Sequence, residues 1–126
     1  MPDRTGPQGR RAAFSRGLAA EARAGAHLEA LGFSILSRRA RTEAGEIDLV
    51  VRQGDLLVFC EVKARADLDG AAYALLPRQQ RRIAAAASAW LAARPDLAAL
   101  NARFDVVLVS GRGMVRHLPA AFEADA

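Results

Sequence analysis

Apolar residues change their spacing several times along this chain, and each change marks an element. Across residues 15–31, Leu18, Glu21, Gly25, Leu28 and Leu31 recur at helical spacing, and Gly32 supplies the stop. That stripe carries one carboxylate, Glu21, while Arg23 and Glu29 fall outside it. Residues 33–37 then read as a short strand. Two runs rich in β-branched residues follow, GEIDLVV at 45–51 and LLVFCEVK at 56–63. The Gly54-Asp55 pair between them reads as a two-residue hairpin turn. With Gln53 facing Leu56, Asp48 should stand opposite Glu61, and Glu46 opposite Lys63. Strand side chains alternate faces, so these four charged groups should share one face. Ile47, Leu49, Val58, Cys60 and Val62 should share the other.

A second helix is predicted over residues 77–93, with Pro77 in its first turn and Pro95 beyond its end. Ile83, Ala86 or Ala87, Trp90 and Leu91 form its apolar face. Residues 103–110 are a near-continuous apolar run suited to an interior strand, and 114–118 suit an edge strand. A strand, a helix and a buried strand in succession predict a parallel, right-handed connection. The fold class is therefore α/β, in the order α-β-β-β-α-β: a mixed central sheet with an antiparallel hairpin at its middle and helices packed on it.

Composition adds limits. At 126 residues with 52% hydrophobic and 25% charged content, the chain should form one domain over residues 13–120, after a disordered basic tail at 1–12. It has no 18-residue apolar run and no hydrophobic leader segment, so membrane insertion and secretion are not expected and a cytoplasmic location is. Cys60, the single cysteine, excludes an intramolecular disulfide and reads as a small buried residue on the apolar strand face, not a nucleophile. Net charge is +4 with a pI near 10.5, which fits a polyanionic partner. Arg38, Arg39 and Arg41 precede the hairpin and Arg65 follows it. Arg78, Arg81 and Arg82 crowd the start of the second helix, where cations oppose the helix dipole. Helix stability does not favour them there; a phosphate backbone would. His27 and His117 have no evident partner and are expected near the surface. Asp67 and Asp69 have the spacing that opens a calcium loop, but the rest of that pattern is missing.

The hairpin carries the candidate chemistry. Strand 56–63 has the near-continuous apolar pattern of a strand covered on both faces, yet Glu61 and Lys63 lie inside it. Burying unpaired charge is costly. Two carboxylates meeting across a ladder with an ammonium beside them make a site for a hard divalent cation, Mg²⁺ or Mn²⁺. A cross-strand charge cluster would use the same residues without chemistry. Among 18 basic residues Lys63 is the only lysine, and arginine does not replace a compact ammonium. If helix 15–31 covers the charged face, Glu21 approaches Asp48, Glu61 and Lys63.

On the runs GEIDLV, VFCEVKAR and RFDVV, the chain resembles the YraN-like family of small, largely uncharacterised bacterial proteins over about residues 15–110. That family belongs to the restriction-endonuclease-like PD-(D/E)xK superfamily. The resemblance implies that Asp48 is the first acidic residue of that pattern and that Glu61 and Lys63 are its (D/E)xK pair. Glu21 matches the helix glutamate of the archaeal Holliday-junction-resolvase branch. In such nucleases the carboxylates, here Asp48 and Glu61, hold magnesium, and the lysine positions or activates the attacking water. Ile47 stands where the superfamily has proline, Ala40 where the family often has Asn, and Gln79 where many members have lysine.

The leading expectation is a Mg²⁺- or Mn²⁺-dependent endonuclease-like protein acting on DNA, with branched or nicked structure as the cue. Glu21, Asp48, Glu61 and Lys63 are its catalytic residues; Arg38, Arg39, Arg41, Arg65, Arg78, Arg81 and Arg82 contact phosphates. A junction-cutting enzyme would be a symmetric homodimer. Two alternatives use the same sequence: a non-catalytic nucleic-acid-binding module with a vestigial site, and an assembly factor in which Glu21 pairs with Lys63.

Overall fold

The computed structural model describes residues 7–65 and 75–123, with side chains from Gly17 onward. The loop holding Asp67 and Asp69 and the first six residues of the expected tail lie outside the described residues. In order the elements are α1 (Pro7–Ala30), β1 (Ser34–Thr42), β2 (Gly45–Gln53), β3 (Leu56–Ala64), α2 (Pro77–Ala92), a 3-10 turn at Pro95–Leu97, β4 (Asn101–Val109) and β5 (Val115–Phe122). The expected α-β-β-β-α-β order is present, with β5 added at the edge. All five strands form one sheet in sequence order. β3 and β4 run parallel, joined through α2, and the other neighbours are antiparallel.

The sheet separates two apolar layers. On one side Ile83, Ala86, Ala87 and Trp90 of α2 pack on Ala40, Ile47, Val50, Leu57, Phe59, Phe104, Val106 and Leu108. Phe59 stands edge-on to Trp90 and stacks on Phe104, which stacks on Phe122. On the other side Ala20, Ala24 and Leu28 of α1 pack on Leu49, Val51, Val58, Cys60, Val62, Val107 and Val109. Small residues on α1 let it lie close. A methyl at Gly25 would sit 3.1 Å from the Ile35 side chain and 2.8 Å from the Arg38 guanidinium.

Several boundaries differ from expectation. α1 starts at Pro7, so residues 7–12 belong to the helix and not to a tail. Proline suits a first turn, and the Arg- and Ala-rich run after it is made of good helix formers. The buried stripe of α1 is Ala20, Ala24, Leu28, while Leu18 and Leu31 are exposed. Large apolar side chains drew the predicted stripe to the wrong side, because the close approach to the sheet selects small ones. β1 extends to Thr42, which places Arg38, Arg39 and Arg41 within a strand. β5 continues to Phe122 through Pro119, which an edge strand tolerates.

Candidate active site

The predicted turn and register hold where the hairpin is paired. Gln53 faces Leu56, and the ladder continues to Leu49 opposite Cys60. There it stops. One residue further, the Asp48 carboxylate takes the place of a strand partner: its Oδ2 accepts the Val62 N–H at 2.7 Å. β2 stays paired to β1 down to Gly45, and β3 stays paired to β4 up to Ala64. The sheet therefore parts between β2 and β3, with Asp48 on one lip and Glu61 and Lys63 on the other.

A kink accompanies the parting. Ile47 lies in the layer under α2, whereas Leu49 lies under α1, although strict alternation would give them one face. In β1, Arg38 lies against Gly25 of α1 while Ala40 lies under α2. Arg39 between them has φ 50, the left-handed region. Position 39 falls across from Asp48, between the pairs Arg38–Leu49 and Ala40–Ile47. The expected common face for Ile47, Leu49, Val58, Cys60 and Val62 is thus corrected at Ile47. Glu46 does not meet Lys63 either. Its carboxylate lies 4.0 Å from Arg39 and 3.8 Å from Arg41, because the strands have already separated.

Each acidic side chain at the split end has a distinct environment. Glu61 is buried and pairs with Lys63 at 2.9 Å, two residues along the same strand face. Glu21 reaches in from α1 and lies 2.9 Å from Arg39, not against Lys63. Burial raises the Glu21 carboxyl above its ordinary range against the pull of Arg39, with Glu46 and Glu61 adding to the rise. Asp48 is pushed up to about 7, first by burial and then by the charge of Glu61, against the Val62 hydrogen bond; Glu21 raises it further and Lys63 opposes. A carboxyl of this kind holds its proton far more readily than a surface aspartate.

Stability should respond. The folded chain binds the Asp48 proton up to about pH 7, the unfolded chain only below the ordinary value of 3.8. Folding stability from this group is therefore full below 3.8 and lost as pH rises towards 7. Asp48→Asn keeps an oxygen for the Val62 N–H and removes the charge. In metal-free buffer at pH 7.5 it should be more stable by on the order of 2 kcal/mol, a rise of roughly 5–10 °C in Tm. The advantage should shrink to nothing near pH 4, and calorimetric scans of both proteins across that range check it.

The arginines divide. Arg39 and Arg41 lie at the same sheet end as the carboxylates, and Arg65 follows β3 there, its N–H donating to the Val109 carbonyl. Arg82 of α2 packs over the start of β2, its Cγ 3.5 Å from where a Cβ at Gly45 would be. Arg78, Arg81 and Arg82 are exposed on the first turns of that helix. Arg38 is turned away towards Gly25 and Glu29.

A second polar group lies away from the split, on β4 and β5. Asp105, its side chain fully buried on the α1 side of β4, accepts from Arg103 Nε at 2.8 Å, Arg103 Nη2 at 2.9 Å and the Ala120 N–H at 2.9 Å. His117 Nε2 lies 2.6 Å from its Oδ2. His117 is therefore largely buried and partnered, not a surface residue, and its ring meets that of His27 edge-on. Arg103 and Asp105 two apart on a strand, with His117 on the next, was the available signal. Beside them Cys60 is buried, and burial pushes its thiol well up. It holds no thiolate at neutral pH, as its position on the apolar face implied.

The donors at the split end are carboxylate oxygens, which suit a hard divalent ion. As they stand, no three His, Cys, Asp or Glu side chains among the described residues are placed to hold a metal; Glu21 and Glu61 face the chain's own cations instead. No helix among the described residues is long and apolar enough to cross a membrane.

Comparison with known proteins places the split end inside a shared segment. A chain from Rhodopseudomonas palustris (strain BisB18), called a UPF0102 protein, is 59% identical over 113 residues, 90% of this chain and 84% of its own. UPF0102 proteins from Bradyrhizobium sp. (strain ORS 278) and Azorhizobium caulinodans are 58% and 55% identical, each across 98% of this chain and 87% and 95% of their own. The model of the uncharacterised protein family UPF0102 matches residues 20–109, from the start of the buried α1 stripe to the end of β4. With Glu21, Asp48, Glu61 and Lys63 all inside that segment, the chain belongs to UPF0102, the YraN-like family.

Proposed function

We propose that this protein is a metal-dependent, endonuclease-like hydrolase of DNA phosphodiester bonds, selecting DNA by structure, within the restriction-endonuclease-like superfamily. The observation that carries the reading is the parting of β2 and β3 at Asp48. It opens the sheet at one place, and that place is lined by Asp48, Glu61 and Lys63 with Glu21 beside them. A raised carboxyl beside a second carboxylate at an opening in a sheet supports a functional site. Asp48 and Glu61 would hold Mg²⁺ or Mn²⁺, with Glu21 assisting. Such an ion polarises a phosphoryl oxygen and lowers the pKa of water. Lys63 Nζ, tethered by Glu61, would orient the water or the scissile phosphate. Arg41 and Arg65 at the same end, with Arg78, Arg81 and Arg82 on the first turns of α2, would hold the DNA backbone, with affinity falling steeply as salt rises.

One observation favours a second reading, a nucleic-acid-binding module without catalysis: Arg39 and Lys63 already neutralise part of the cluster without a metal. A calorimetric Mn²⁺ and Mg²⁺ titration of wild type beside Asp48→Asn separates the two. Saturable binding lost in the variant is expected. Silence from both proteins, with and without a nicked or branched duplex, would sink the metal-dependent reading and leave the binding module.

A further inference from the structure

At the split end the carboxylates are accompanied by cations of the chain's own. Arg39 Nε lies 2.9 Å from Glu21 and 4.0 Å from Glu46, and Lys63 lies 2.9 Å from Glu61. Among the described residues four carboxylates (Glu21, Glu46, Asp48, Glu61) gather at this end with Arg39 and Lys63 as their inner cations. Arg41 also approaches Glu46, but its side chain is 87% exposed and its charge is screened.

Arg39 is placed by an unusual backbone. It lies within β1 at φ 50, a region where residues bearing a Cβ seldom sit. The twist lets position 39 leave the alternation of its strand, and its Nε is sealed from solvent against the acidic cluster. Arg38 and Ala40 keep their partners in β2 on either side, so the ladder continues past the twist. The strained conformation accompanies a guanidinium held beside Glu21.

We propose that Arg39 is a built-in counter-cation: its guanidinium competes with the divalent ion for the carboxylates and must leave Glu21 before Glu21 can join Asp48 and Glu61. The inference rests on the metal-site reading above and goes beyond it, because it makes metal loading conditional on a side-chain displacement. The displaced guanidinium, a planar fork of donors, matches a phosphate. A DNA backbone drawing Arg39 outward would therefore favour metal entry, and the metal would favour DNA.

The test is Mn²⁺ affinity, measured calorimetrically and without substrate, in wild type, Arg39→Gln, Arg39→Gly and Arg41→Gln. Glycine suits the left-handed conformation, so Arg39→Gly should fold at least as well as wild type. Both Arg39 variants should bind Mn²⁺ about tenfold more tightly, and Arg41→Gln within about twofold of wild type, since only the inner cation competes at short range. Asp48→Asn added to Arg39→Gly should abolish the binding. Binding by the Arg39 variants where wild type stays silent would support the inference most strongly. Wild-type binding with equal or weaker affinity in the Arg39 variants would overturn it and leave the metal site standing. An equal gain in Arg41→Gln would overturn it too, reducing the effect to general charge. Silence from all four proteins would overturn it together with the metal reading.

Discussion

If the protein is the nuclease proposed above, Lys63→Ala should cut cleavage of DNA about a thousandfold while leaving DNA affinity within a few-fold of wild type. The ammonium is half-buried and held at 2.9 Å by Glu61 on the same strand face. It is therefore oriented towards the parted end of the sheet and poorly placed to add to non-specific binding, which the exposed arginines would supply. Removing it also frees Glu61 of its internal partner, so Mn²⁺ affinity should stay the same or rise. Lost cleavage with retained metal and DNA binding is the pattern of a group acting on the reacting atoms. Single-turnover cleavage of a nicked duplex, with fluorescence anisotropy for binding, measures both. Wild-type cleavage rates in the variant would remove Lys63 from the reaction; lost DNA affinity with unchanged single-turnover rate would make it a phosphate contact.

Asp105→Ala should destabilise the fold by about 3–5 kcal/mol, the scale for removing one member of a buried charge network. Three donors lose their acceptor at once: the Arg103 guanidinium, the Ala120 N–H and the His117 ring. Ala120 sits at φ 52, so the bond from Asp105 also holds a backbone that a residue with a Cβ adopts reluctantly. The C-terminal half of β5 should loosen first. Its amide protons should exchange much faster than those of β3 in the same variant, and urea unfolding gives the total. Loss of less than about 1 kcal/mol would mean that solvent replaces the carboxylate and that the network contributes little. Acid should act similarly on wild type. Burial alone would raise the Asp105 carboxyl, but His117, Arg103 and the Ala120 N–H outweigh it, so its pKa is lowered. A depressed carboxyl stabilises the fold above its ordinary pKa, and that stability is lost as pH falls through the folded value. Asp48 works in the opposite sense, its contribution declining as pH rises towards 7.

Much of the site was legible because strands obey simple geometry. Gly54-Asp55 dictated the hairpin, and the register from that turn held to Leu49–Cys60. That register alone puts Asp48 and Glu61 at the same height. α2 was equally readable: Pro77 opens it, and of the expected face Ile83 and Trp90 are buried together with both Ala86 and Ala87, while Leu91 is half-buried. The single lysine stood out from composition alone. Where the structure departs from the sequence pattern, the cause is tertiary. The stripe of α1 was drawn through Leu18 and Leu31, but the helix approaches the sheet through Ala20, Ala24 and Gly25 because Ile35 and Arg38 lie beneath it. His117 looked like a surface residue because its partner, Asp105, is twelve residues away on the neighbouring strand.

The sequence by itself determined the order of elements, the hairpin register, the apolar face of α2, and the presence of Asp48, Glu61 and Lys63 at one end of the sheet. These follow from local rules, namely turn chemistry, the period of two in strands and the period of 3.6 in helices. Only the tertiary structure decided that the ladder ends at Asp48, that Glu21 faces Arg39 and not Lys63, and that Asp105 gathers Arg103, His117 and Ala120. Those outcomes depend on a left-handed residue within β1 and on which charges meet once the layers close. A buried charge takes the partner that the packed chain brings within reach, and no spacing rule along one strand specifies which partner that is.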